Sequence, residues 1–135
     1  MTRAIQAARI LLGLIFVVFG LNGFFMFIPV RPTHPLILLL ISSGYIYFVK
    51  VVEILAGALL LANRAVVLAL VLLGADIANI AMYHILLDHN DWFIVPVVLA
   101  LYTVLLYGYR PRMKFIFRWK ETSGSAADAP PASHR

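Results

Sequence analysis

The sequence predicts an all-α membrane protein: a four-transmembrane-helix antiparallel bundle, with a short interfacial or re-entrant segment between helices 1 and 2. Three observations lead there. Of 135 residues 63% are hydrophobic and 13% charged, whereas soluble domains carry about a quarter charged residues. The charges gather at the ends of long apolar runs rather than being spread over a surface. The basic residues also fall on alternate connections between those runs, the pattern expected of a multi-pass protein.

Taken in order, the first run lies between Arg9 and Arg31, an uncharged stretch of 21 residues. That is enough for a helix to cross a hydrocarbon core of about 30 Å. It is too long for a signal-peptide core, and no small-x-small cleavage site follows it cleanly, so we read it as a retained span over about 5–28. Arg31-Pro-Thr-His-Pro35 cannot continue a helix and forms the first external loop. Pro35 to Gly44 is apolar but short and ends in a Ser-Ser-Gly breaker, which suits the interfacial or re-entrant piece. The second span covers about 45–62, with Tyr45 and Tyr47 at its outer end as an aromatic belt. Asn63-Arg64 is a turn so short that the second and third spans must be antiparallel neighbours. The third covers about 65–87, the polar cluster Asp88-His89-Asn90-Asp91 ends it, and the fourth covers 92–109.

Residues 1–110 thus form one transmembrane domain. Residues 111–120 alternate bases and aromatics, and Arg112, Lys114, Arg118, Trp119 and Lys120 are expected to anchor this segment at anionic headgroups. The small polar segment 121–135 is expected to be a disordered cytoplasmic tail. The net charge of +5 could point to nucleic acid, but the bases flank apolar runs and form no stripe on a polar domain, so no nucleic-acid partner is expected. Arg3, Arg9, Arg64, Arg110, Arg112, Lys114, Arg118 and Lys120 fall on one side and Arg31 alone on the other. The positive-inside rule then places both termini in the cytoplasm of a bacterial-type inner membrane, and the Asp88/Asp91 loop outside.

Asn22, Lys50, Glu53, Asp76, Asn79 and His84 are polar where lipid should be. A charge at a helix centre costs about 2.5–3.5 kcal/mol on insertion scales, so such residues turn inward and pair. Lys50 and Glu53, three apart, predict a salt bridge, and Gly57 continues their stripe. Asp76, Asn79 and Tyr83 share a face of the next span, and the two polar faces are expected to meet. Topology sets Asn22, Lys50, Glu53, Asp76, Asn79, Tyr83 and His84 at similar depths, as a polar pocket in the outer leaflet. Such a pocket suits a quinone headgroup, a small substrate or a proton path; the alternative is that these residues only fix helix packing. No metal is expected. A site assembled from His34, His84, His89 and Asp88 is the competing reading, but no second histidine lies inside a span.

Ala8-Arg9-Ile-Leu-Leu-Gly13-Leu-Ile-Phe, the following Phe19-Gly-Leu-Asn22-Gly-Phe, Val49-Lys50-Val-Val-Glu53-Ile-Leu-Ala-Gly57-Ala-Leu-Leu-Leu, then Asn79 and His84 resemble the DoxX family of small four-helix membrane proteins. The resemblance covers about residues 4–110. It implies an accessory or quinone-interacting membrane subunit of a redox complex, since founding members resemble a membrane subunit of a thiosulfate:quinone oxidoreductase or quinol oxidase. Related MauE-like and disulfide-forming proteins work through cysteine pairs. This chain contains no cysteine, so it cannot carry thiol chemistry itself. Quinone is the one cofactor the resemblance brings, and the enzyme role is at most that of an oxidoreductase subunit. Expected partners are the bilayer, other membrane or redox subunits, and a further copy of the chain. A purely structural or interaction protein is the main alternative function. A small-solute transporter is a weaker one, because four spans without an internal repeat are few for alternating access.

Overall fold

The structure, a computed structural model, describes residues 2–29, 34–87 and 93–125, with side chains up to Lys114. Among them are five helices and no strand: α1 (Arg3–Phe25), α2 (Pro35–Ser42), α3 (Tyr45–Leu61), α4 (Val66–Leu86) and α5 (Ile94–Ser125). Arg31, the Asp88–Asp91 loop, Trp92 and residues 126–135 lie outside the described residues, as do the side chains of Arg118, Trp119 and Lys120.

Three segments are long and apolar enough to cross a membrane: α1, α4 and the first 21 residues of α5, Ile94–Lys114. Helix α3 has 17 residues, about 25 Å, and falls just short of a hydrocarbon core by itself. It passes the same test only together with α2, from which it is bent by 87°.

That corner is written locally. Pro35 opens α2, where a proline lacks only an N–H that would be unbonded anyway, and His34 Nδ1 accepts from the Leu36 N–H at 3.2 Å. At the other end the hydroxyls of Ser42 and Ser43 donate to the carbonyls of Leu39 and Leu40 at 3.0 and 3.2 Å. Gly44 then takes φ +75°, a left-handed conformation that turns the chain without a Cβ penalty. No residue of α2 is buried.

Helices α1, α3, α4 and α5 close a ring in which each packs on two neighbours, the broadest contact being α1 with α3. Gly13 meets Gly57 and Gly20 meets Lys50, so α1 and α3 run antiparallel, while Tyr102 meets Leu70 between α5 and α4. The shared core is apolar, with Leu12, Leu60, Leu70, Leu73, Leu105 and Tyr109 almost wholly enclosed. Leu and Phe elsewhere on these helices are exposed, which for a helix in lipid is no defect, since hydrocarbon is as apolar as the core.

The ends differ from the sequence expectation in one respect. Residues 111–120 are not a separate element but a continuation of α5, which runs through Pro111 and on to Ser125. The stretch expected to be disordered from 121 is therefore helical over its first five residues. A proline inside a helix removes one N–H and crowds the preceding turn, costing about 3 kcal/mol. It does not by itself end a helix flanked on both sides by good formers, here Arg110 before it and Arg112, Met113 and Lys114 after.

Candidate functional site

A charged cluster sits where α3 faces α4. On α3 the Lys50 ammonium donates to both oxygens of Glu53, at 2.8 and 2.9 Å, as their i,i+3 spacing predicts. Glu53 is 3% exposed and Lys50 half-buried, so the carboxylate end of this ion pair is inside the protein. Space for the Lys50 stem comes from α1, where a Cβ on Gly23 would overlap Lys50 Cγ and Cδ. Asp76, the middle residue of α4, lies within electrostatic reach of both Lys50 and Glu53. Its Oδ2 is buried and has no hydrogen-bond partner among the described residues.

The count of charges and donors is the chemical content of the cluster. Two carboxylates share one ammonium. An ammonium carries three N–H donors; two go to Glu53, and the third is left for Asp76 or a ligand oxygen. A spare buried acceptor thus lies within electrostatic reach of a spare donor on the half-buried Lys50, where hydrogen bonds to charged groups are stronger than at an open surface.

The other expected site residues do not join this cluster. Asn22 is buried but spent on its own chain: Nδ2 donates to the Ile28 carbonyl at 3.1 Å, and Oδ1 accepts from the Ile28 N–H at 2.6 Å. With Met26 in the left-handed region bonding back to the Asn22 carbonyl, this side chain ends α1 and secures the segment beyond it. Tyr83 and His84 lie near the end of α4, two turns past Asp76. Their rings meet edge to face at 5.4 Å, and His34 stacks edgewise on Tyr83 at 6.0 Å.

Asn79 departs furthest from expectation. It was expected to share the polar face with Asp76, yet it is exposed. The reason is angular: three residues at about 100° each leave 60° between the two. Because Leu70, Leu73 and Ile77 turn inward, Asp76 sits at the edge of the buried side and Asn79 passes beyond it.

Two contacts were not anticipated. Arg9, read as a topology signal, reaches across to α3 and donates from Nη1 to the Leu60 carbonyl at 2.6 Å, satisfying a carbonyl in the last turn of that helix. Tyr102 donates to the Leu70 carbonyl at 2.8 Å. An arginine one turn from a predicted helix end, on its apolar side, was the available sign for the first; Tyr102 carried none. At the basic end, Arg112 lies over the Tyr109 ring at 5.4 Å and Arg110 over Tyr107 at 5.6 Å, so the arginine heads of this segment are partly engaged by its own aromatics. Lys114 is exposed.

No group of three or more metal-ligating side chains occurs among the described residues, and His89 and Asp88 lie outside them. A shallow groove at the α2–α3 corner, lined by Leu39, Leu40, Ser43, Gly44 and Tyr45, contains none of the charged residues. Comparison of the chain with protein-family models, curated proteins and solved structures yields no match.

Proposed function

We propose that the chain is a DoxX-like, four-span protein of a bacterial-type inner membrane, with both termini cytoplasmic, acting as an accessory subunit that holds a quinone headgroup at the Lys50–Glu53–Asp76 cluster. In this reading α2 lies in the outer interface and α3 completes the fourth span. The observation that carries it is the unbonded Asp76 Oδ2 within electrostatic reach of an ammonium with one donor to spare. A quinone presents carbonyl oxygens, which accept, and its reduced form presents hydroxyls, which donate. Lys50 serves the first and Asp76 the second, while Glu53 holds Lys50 in place. His84 and Asn22 have no part in the headgroup contact, the one being two turns away and the other bonded to Ile28.

The experiment is quinone-analogue binding to purified protein in nanodiscs. Asp76→Asn and Lys50→Met are expected to weaken binding at least tenfold, with Asn22→Ala leaving it unchanged in whatever fraction stays folded. Equal affinity in all three overturns the proposal. A second reading, that the polar residues serve packing alone, is favoured by Asn22, whose side chain is fully used in ending α1. It predicts that Asp76→Asn alters melting temperature and no ligand affinity.

A further inference from the structure

Helix α4 buries Val66, Ala69, Leu70, Leu73 and Ile77 against its neighbours. At about 100° per residue the opposite side carries Val71, Ala75, Ala78 and Met82, all exposed, and Asn79 stands among them. Apolar side chains there need no explanation in a bilayer. Asn79 does. It has no hydrogen-bond partner among the described residues, and it lies three residues from the midpoint of a 21-residue helix, roughly 5 Å from the centre and 10 Å from the nearer end. A carboxamide at that depth faces hydrocarbon that can neither donate nor accept. Its single methylene is too short to carry the amide to the interface, as a lysine or arginine stem does.

We propose that a second copy of this chain supplies the missing partner, forming a two-fold dimer through the outward face of α4 with the two Asn79 side chains hydrogen-bonded to each other. Copies inserted in the same direction are related by an axis along the membrane normal, so identical residues meet at identical depth. A carboxamide carries donors and an acceptor together and is therefore complementary to itself. Ala75, one turn before Asn79 and about 40° from it around the helix, adds no bulk beside it, so the helices can approach within reach of so short a side chain. This inference is independent of quinone binding and stands or falls separately from it.

The chain has no cysteine, so single-cysteine variants report contact directly. In native membranes under mild oxidant, Ala75→Cys and Ala78→Cys, which both keep Asn79, are expected to give covalent dimers. Leu11→Cys on α1 and Val97→Cys on α5, which are likewise exposed, are expected to stay monomeric. In vesicles, energy transfer between labelled copies on lipid dilution should give a dissociation constant raised about three- to twentyfold in Asn79→Leu, with Asn79→Gln close to the original. Melting of the detergent-solubilised monomer should be unchanged in Asn79→Leu, since that side chain faces away from the core. Cross-linking no stronger at 75 and 78 than at 11 and 97, an unaltered dimer constant in Asn79→Leu, or covalent products containing a different protein would each overturn the proposal.

Discussion

Gly13 of α1 and Gly57 of α3 meet backbone to backbone: a Cβ on Gly57 would lie 2.8 Å from the Gly13 carbonyl oxygen, and a Cβ on Gly13 would lie 3.0 Å from that of Gly57. The two helices can approach this closely only because neither carries a side chain there. The approach brings Gly20 and Gly23 against Lys50 further along the same seam, so the charged cluster depends on it.

Gly57→Ala is expected to destabilise the protein by about 1–3 kcal/mol, as overpacking does when backbone must move. Gly13→Ala should cost less. The methyl at 57 meets the Val17 nitrogen as well as the Gly13 carbonyl, whereas the one at 13 meets the Leu61 side chain in addition to the Gly57 carbonyl, and a leucine side chain can yield. Reversible unfolding in mixed micelles measures both; a larger loss at 13 than at 57 would refute the ranking.

Lys50 serves two carboxylates and Glu53 only one ammonium, so their removal is unequal. Lys50→Met leaves Glu53 and Asp76 without a cation, and removing one partner of a buried pair costs about 3–5 kcal/mol. Glu53→Gln leaves Lys50 with Asp76 to turn to and is expected to cost markedly less. The double variant should resemble Lys50→Met more closely than the sum of the two. A double-mutant cycle tests this, and strictly additive losses would show that the pair does not interact.

Asn22→Ala is expected to cost about 1–3 kcal/mol, because it strands both polar groups of Ile28 at once. Asn22→Asp should not rescue it. The carboxylate still accepts from the Ile28 N–H but presents an oxygen, in place of an N–H, to the Ile28 carbonyl. Hydrogen exchange at Ile28 is the sensitive measurement: protection should fall in both variants, and unchanged protection would remove Asn22 from the cap.

What could be read in advance follows from which interactions are local. The Lys50–Glu53 pair and the Ser42-Ser43-Gly44 corner are set by spacing and residue type within a few positions, and both occur as expected. The destination of Asn79 was not legible, because shared helical face and inward face are different questions. In a soluble helix the apolar stripe marks the core side; in α4 lipid and core are equally apolar, and only packing of Leu70, Leu73 and Ile77 decides which way Asp76 and Asn79 turn. The bonds from Arg9 to Leu60 and from Tyr102 to Leu70 join residues 51 and 32 positions apart. Nothing in either local sequence distinguishes the receiving carbonyl.

The contact between Tyr102 and Gly74 yields the most discriminating pair of substitutions. The Tyr102 hydroxyl occupies the space where a Cβ on Gly74 would stand, and from there it donates to the Leu70 carbonyl. Gly74→Ala should therefore force the tyrosine away and break that bond, at about 1–3 kcal/mol. Tyr102→Phe alone loses only the hydrogen bond, about 0.5–1.5 kcal/mol, because the ring keeps its packing. Once the hydroxyl is gone the nearest atom to a methyl at 74 is the ring Cζ at 3.3 Å, which has to give by only a few tenths of an ångström, and alanine exceeds glycine in helix propensity by up to about 1 kcal/mol. The double variant is accordingly expected to be at least as stable as Tyr102→Phe alone, so that a substitution harmful in one background becomes neutral or helpful in the other. Unfolding free energies of the four proteins decide it: a double variant weaker than either single one would mean that backbone, and not the hydroxyl, excludes a side chain at Gly74.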